Sequence, residues 1–131
     1  MPKTKTITGY FVDPENNLAE PRTIDKSLEG YYALLRCDCI TMPERRIGDK
    51  YFTIIADDEG LLKPGAIISG LSSTGQPALV GPLFVVKFDG REDVTSLTKE
   101  ELTLLAKHTR QGLIDRYDDQ IVIAFLLGVE Y

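Results

Sequence analysis

The chain has 131 residues, of which 43% are hydrophobic and 27% are charged, and these values are typical of a single globular domain over residues 1–131 that needs no disulfide. No run of about 18 apolar residues occurs and the N-terminus lacks the apolar core of a secretory signal, so we expect a cytoplasmic protein without membrane contact. The net charge of −5 argues against direct binding to nucleic acid, which requires clustered lysine and arginine.

The first predicted elements are a hairpin and a short helix. Residues 4–12 and 18–24 have the composition of strands and are separated by a cluster of turn formers, and Pro21 indicates an edge strand because it has no N–H to donate. Asp25 is placed to cap the helix that follows. The apolar positions of this helix recur at i, i+3, i+4 and i+7 and are Leu28, Tyr31, Tyr32 and Leu35.

A second hairpin is predicted after the helix. Residues 38–47 and 50–57 are rich in β-branched and aromatic residues, with Gly48-Asp49 between them. Asp-Glu-Gly at residues 58–60 predicts a turn. Residues 63–77, rich in glycine, proline and serine, are predicted to be the longest irregular region, with a short strand near Ile67.

The last predicted elements are a bent strand, a capped helix and a final strand. Residues 78–88 have a strand pattern that Gly81-Pro82 interrupts. Thr98 and Glu101 form a T-x-x-E capping box, which predicts a helix that runs to about residue 111.

The tail at residues 118–131 is strand-like, because residues 121–127 are apolar at every position; a short helix is the alternative. These elements together predict an α+β fold, in which a mixed or mainly antiparallel sheet of about five to six strands carries two helices packed on one face.

Four segments resemble a known family. They read IDKSLE at residues 24–29, DEGLL at 58–62, VGPLFVV at 80–86 and LTKEE at 97–101. With this order and spacing the chain resembles the domain of unknown function 3846 over residues 4–111. The resemblance implies a fold and a setting in bacteria, phages and other mobile elements, and no activity, because the family has none established.

Few residue patterns favour catalysis, a metal or a cofactor, and we expect none of the three. The single histidine, His108, lies on a predicted helix without a relay partner. Cys37 and Cys39 are too close for an easy disulfide and, with one histidine, too few for a tetrahedral zinc site in one chain. Residues 70–75, GLSSTG, have the glycine spacing of a phosphate loop, but Gln76-Pro77 stands where Lys and Ser or Thr are required.

The candidate binding residues lie around the turn of the second hairpin and are Arg45, Arg46, Lys50 and Tyr51. Guanidinium groups bind carboxylates and phosphates in a bidentate manner, so this basic group suits a small anion or an acidic partner. The structural alternative is a charged strand edge that prevents pairing with other sheets.

The sequence therefore favours a non-catalytic accessory protein, which binds an unidentified protein partner through this hairpin and residues 63–77. An exposed strand edge would also permit a homodimer. One alternative is a small-ligand domain or enzyme that uses carboxylates near Asp57 with Arg45 or Arg46, which requires a pocket where they converge. Another is a weak acidic mimic of nucleic acid, which requires a stripe of carboxylates.

Overall fold

Twelve strands and two helices make up the described part of the chain, which comprises residues 5–59, 67–91, 93–116 and 119–130 of a computed structural model. In chain order they are β1 (Thr6–Asp13), β2 (Leu18–Asp25), α1 (Leu28–Leu35), β3 (Ile40–Thr41), β4 (Glu44–Ile47), β5 (Lys50–Asp57), β6 (Ile68–Leu71), β7 (Pro77–Val80), β8 (Leu83–Phe88), β9 (Val94–Thr95), α2 (Lys99–Lys107), β10 (Thr109–Arg116), β11 (Asp119–Leu127) and β12 (Val129–Glu130). Strands hold 56% of the described residues and helices 15%. The prediction of an α+β fold with five to six strands is therefore wrong.

Eight of the strands form one antiparallel sheet, which we call sheet A. Its main path is β12–β4–β5–β8–β1–β2, with β3 beside β5 and β9 beside β8. The central strands β5 and β8 pair from Thr53↔Val86 to Ala56↔Leu83. Pro21 lies on β2, at the end of this path, as the sequence predicted.

The other four strands form sheet B, in the order β10–β11–β6–β7. β10 and β11 are antiparallel and pair from Thr109↔Leu126 to Arg116↔Asp119, whereas β11 joins β6 in parallel at Leu126 and Leu127. Residues 121–127 are thus the predicted strand and not the alternative helix.

The centre of sheet A is covered on both faces, and the alternating side chains of its central strands are apolar on both sides. One face packs against α1; the buried residues on this side include Phe11, Tyr31, Leu35, Ile55 and Phe84. The opposite face packs against sheet B and α2; the buried residues there include Val12, Ile54, Leu83, Leu105 and Leu126. The two helices lie on opposite faces, so the prediction that both pack on one face is wrong.

The start of α1 differs from the prediction by two residues. Asp25 pairs with Thr6 as the last residue of β2. The cap is Ser27, whose side-chain oxygen accepts a hydrogen bond from the Gly30 N–H at 3.0 Å. The prediction of Asp25 as the cap is therefore wrong, because Asp25 continues the strand pairing and the helix starts two residues later.

The start of α2 is as predicted and its end is not. Thr98 and Glu101 make both hydrogen bonds of the capping box. The helix ends at Lys107, four residues before the predicted end, because the residues that follow pair with β11 instead.

The predicted turn at Gly48 and the predicted bend at Gly81 are confirmed, and both glycines have a positive φ, 67° and 74°, which side chains rarely adopt. Residues 67–77 were predicted to be mostly irregular, but they hold β6, the start of β7 and the turn between them. Of the other predicted features, Gly60 in the turn and residues 63–66 in the loop lie outside the described residues.

Candidate functional site

The hairpin of β4 and β5 carries all four predicted binding residues, but on two faces of sheet A. Arg46 pairs with Tyr51, and Arg45 pairs with Phe52. Phe52 is buried in the core on the α2 side. Because neighbouring side chains on a strand point to opposite faces, Arg45 lies on the α2 side and Arg46 and Tyr51 lie on the α1 side.

On the α2 side, Lys50 lines a groove of about 460 Å³ between the hairpin and α2. The groove is also lined by Asp49, Lys99, Glu100, Thr103, Leu104 and Lys107. Three lysines face two carboxylates there, so the charges nearly balance and do not favour an anion strongly. Arg45 is half-buried, and its Nη1 donates to the Glu44 carbonyl at 2.8 Å.

On the α1 side, Arg46 and Tyr51 lie beside a groove that apolar and acidic residues line together. The next cross-strand pair on this face is Glu44↔Thr53, and both residues line a groove of about 370 Å³ together with Met42, Phe88, Asp93 and Val94. Tyr51 is 60% exposed, Phe88 48% and Met42 43%. We call Met42, Arg46, Tyr51 and Phe88 the Tyr51 patch.

A carboxylate on β12, that of Glu130, lies near Arg46 and partly balances its positive charge. Arg46 pairs with Glu130 in the sheet. Hydrogen bonds from the side chain and the backbone of Ser73, together with the nearby Arg46 charge, hold the pKa of Glu130 below its ordinary value of 4.5. Glu130 is therefore ionised at neutral pH and partly balances Arg46 at the rim of the patch.

The carboxylate of Asp57 does not converge with Arg45 or Arg46. Asp57 pairs with Ile40, whereas Arg45 pairs with Phe52, five positions along β5, or about 17 Å at the rise of a strand. An active site built from these groups is not formed. In the described ranges, no group of three or more His, Cys, Asp or Glu side chains is placed to hold a metal ion.

His108 joins α2 to sheet B. Its Nδ1 lies 2.8 Å from the Leu127 carbonyl oxygen, and its own carbonyl accepts from the Leu127 N–H at 2.8 Å. Cys37 and Cys39 form no disulfide bond. These contacts with Leu127 give His108 a structural role at the junction of α2 and sheet B.

A further cleft, which sequence reasoning missed, lies between α1 and the hairpin of β1 and β2. Its volume is about 690 Å³, and the residues that line it include Phe11, Asp13, Asn16, Arg22, Asp25 and Arg36. We call it the Arg22–Arg36 cleft. Leu18, Ile24 and Leu34 give it an apolar wall.

Asp13 is the buried polar group of this cleft, with 1% of its surface exposed. Its Oδ2 accepts from Asn16 Nδ2 at 2.7 Å and from Arg36 Nη2 at 3.0 Å. Its Oδ1 is buried and has no hydrogen-bond partner among the residues that the structure describes. Asp13 and Arg36 are 23 positions apart, so no local sequence signal could have revealed the pair.

The family comparison covers most of the chain, including the hairpin, the Tyr51 patch and the Arg22–Arg36 cleft. The model of the family described as Domain of unknown function (DUF3846) matches residues 7–110. The chain belongs to this family. The DUF3846 match confirms the resemblance found in the sequence, and it ends within β10, so β11 and β12 lie beyond it. No curated protein and no solved structure matches the chain.

Neither helix of the described ranges is long and apolar enough to cross a bilayer.

Proposed function

We propose that this chain is a non-catalytic accessory domain that binds another protein through the Tyr51 patch. The observation that carries the proposal is the joint exposure of Tyr51 and Phe88, 60% and 48%, on the part of sheet A beside Arg46. Aromatic residues, methionine and arginine are the types enriched in protein interfaces. The accessory role in a phage or mobile element, which the family resemblance implies, belongs to the same proposal.

The register of sheet A makes the patch continuous. Thr53 pairs with Val86, and two positions further along this antiparallel register Tyr51 stands opposite Phe88. Thr53, which is 7% exposed, lies in the groove between Met42 and Phe88. An apolar side chain of the partner fits this groove, and Arg46 at the rim suits a carboxylate.

The alternative of a nucleic-acid mimic has less support. Two of the exposed carboxylates are paired with cations: Glu20 lies 3.3 Å from Arg22, and Asp93 lies 2.8 Å from Lys26. Such pairs interrupt the continuous negative stripe that mimicry of a phosphate backbone requires.

The test is affinity capture from a lysate of the source organism, followed by mass spectrometry. The wild type is compared with the double variant Tyr51→Asp/Phe88→Asp and with the control Leu113→Asp/Val122→Asp, which charges another exposed apolar cross-strand pair. We expect a dominant partner that the wild type and the control retain and that the Tyr51/Phe88 variant loses. Circular dichroism checks that each variant is folded.

Two outcomes contradict the proposal. One is a partner that the Tyr51/Phe88 variant retains as well as the wild type does. The other is a wild type that captures no protein above the level of the folded Tyr51/Phe88 variant. Sedimentation of the purified wild type detects self-association, and so distinguishes a second copy of the chain from a different protein as the partner.

A further inference from the structure

We propose that the Arg22–Arg36 cleft binds a small zwitterion with an apolar body, the chemistry of a free apolar amino acid. The cleft shares no residue with the Tyr51 patch, so this binding is separate from the proposed protein interaction. Its volume of about 690 Å³ lies within the range of small-molecule sites.

Arg36 supplies the first oriented cation. Its guanidinium is held by Asp13 through Nη2, while the side chain stays 51% exposed, which leaves other N–H donors for a carboxylate. The residue ends α1 with φ 55° and ψ 50°, a left-handed conformation that favours glycine or asparagine. The position of the Arg36 side chain explains why an arginine stands at this cap, since it lies next to the buried Asp13 carboxylate and lines the cleft.

Arg22 supplies the second oriented cation. Its guanidinium carbon lies 4.9 Å from the centroid of the Phe11 ring, a distance at which a cation is attracted to the ring face. Nη2 also lies 3.3 Å from Glu20 Oε2. Stacking leaves the edge of the guanidinium, where its N–H groups lie, available to a ligand carboxylate.

Two carboxylates complete the charge pattern. Asp13 lines the cleft, and Glu20 lies 3.3 Å from Arg22 on the same face of β2, so two anions accompany the two cations, which suits a zwitterion better than a simple anion. A buried carboxylate oxygen without a hydrogen bond is unfavourable. Asp13 Oδ1, which has none from the described residues, is the acceptor we assign to the ligand ammonium, reached by a small shift of the side chain.

The apolar wall of the cleft explains why the proposed ligand has an apolar side chain. Leu18, Ile24 and Leu34 line the same cleft, and each lies partly buried against the core on the α1 side. An apolar side chain of the ligand would bury against them, while its carboxylate meets Arg22 and Arg36. A polypeptide would bring only one of its two terminal charges to the cleft, so we assign the site to a free small molecule.

The test is a titration of the folded protein followed by ¹H–¹⁵N NMR, with L-phenylalanine as the probe. Two matched molecules each lack one charge: 3-phenylpropionate has no ammonium and phenethylamine has no carboxylate. We expect L-phenylalanine to shift the resonances of the cleft residues and to bind at least about tenfold more tightly than either matched molecule. Phenylalaninamide has an amide in place of the carboxylate, as the first residue of a polypeptide does. It therefore tests the polypeptide alternative and is expected to bind as weakly as phenethylamine.

Variants locate the binding. Arg36→Met and Arg22→Met are each expected to weaken L-phenylalanine binding at least about tenfold, and Arg91→Met, at an exposed arginine outside the cleft, is expected to leave it unchanged. Asp13→Asn tests the assigned acceptor, because it should reduce the preference for L-phenylalanine over 3-phenylpropionate and not merely lower both affinities. Arg22→Met, on the edge strand, keeps the test valid if Arg36→Met does not fold.

Three results would overturn the proposal. They are the absence of shifts in the cleft residues at millimolar L-phenylalanine, equal binding of 3-phenylpropionate, and full retention of binding by Arg22→Met.

Discussion

Tyr10 donates its phenolic hydrogen to Thr109, which is 99 positions away in the sequence. The two oxygens lie 2.7 Å apart, and the Thr109 hydroxyl donates its single hydrogen to the Leu105 carbonyl at 3.0 Å, so Tyr10 must be the donor of the pair. Burial raises the pKa of Tyr10, although the hydrogen bond to Thr109 lowers it in part. The phenol therefore stays protonated at neutral pH and ties β1 of sheet A to the junction of α2 and sheet B.

The first prediction concerns removal of the Tyr10 hydroxyl. Tyr10→Phe should lower the free energy of unfolding in urea by about 1 kcal/mol, the usual net contribution of a hydrogen bond. Tyr51→Phe, at a side chain that is 60% exposed, is the control and should change stability little. A Tyr10→Phe variant as stable as the wild type would show that this bond contributes nothing to holding the sheets together.

The second prediction concerns Glu101, which is 7% exposed. Burial alone would raise its pKa, but hydrogen bonds from Thr98 and Lys87 outweigh burial and hold the pKa below 4.5. Glu101 Oε1 accepts from Thr98 N at 2.8 Å and from Lys87 Nζ at 2.9 Å. Since the folded pKa is lowered, this stabilisation is complete above pH 4.5 and is lost as the pH falls through the folded pKa.

Glu101→Gln should therefore lower the free energy of unfolding by about 1.5–3 kcal/mol at pH 7, the range for hydrogen bonds to a charged group. It should also make stability less sensitive to pH in the acid range. Urea unfolding over a series of pH values checks both expectations. Glu100→Gln, at the exposed neighbour, is the matched control, and an equal loss in the two variants would contradict the prediction.

The third prediction concerns Gly9, where β1 approaches β8. A Cβ at this position would lie 2.5 Å from the Val85 carbonyl oxygen and 2.8 Å from Phe84 Cζ, both on a central strand. Gly9→Ala should destabilise the protein by about 1–3 kcal/mol, as overpacking of a core does. At Gly112 the nearest atom would be Phe125 Cε1 at 3.2 Å, on a partly exposed ring that can move. Gly112→Ala should cost less, and the reverse order in thermal unfolding would disprove this account.

The fourth prediction concerns a chain that ends at residue 110, the limit of the family match. Such a chain lacks β11 and β12, and with them Leu126 and Val129, which are 0% and 1% exposed in the same core as Val12. We expect it to lose cooperative thermal unfolding, measured by circular dichroism and calorimetry. A truncated chain with a sharp transition would show that residues 7–110 fold independently.

The features that could be predicted from the sequence depend on a few consecutive residues. The capping box of Thr98 and Glu101 and the turn at Gly48 are of this kind, since caps and tight turns are decided within about four positions. The end of α2 was not predictable in the same way. Residues 109–116 have no strong strand pattern, and they form β10 because β11 is available to pair with them.

The two candidate sites differ in what the sequence could reveal. Strand alternation, a local rule, separates Arg45 from Arg46 once β4 is placed in the sequence, and the structure puts them on opposite faces of sheet A. The Arg22–Arg36 cleft depends on where α1 packs against the hairpin of β1 and β2. That placement brings Asp13 to Arg36 through tertiary packing, which no spacing along the chain encodes.

The position of β11 in sheet B affects how this domain forms during translation. β6 and β7 leave the ribosome well before β11, yet β11 is the strand that connects them to β10. Until it emerges, the β6–β7 hairpin has an unpaired edge and its apolar side chains, Leu79 among them, lack their final neighbours. Completion of the core therefore waits for residues 119–130, and the nascent chain is most exposed to aggregation or chaperone binding in the interval before they appear.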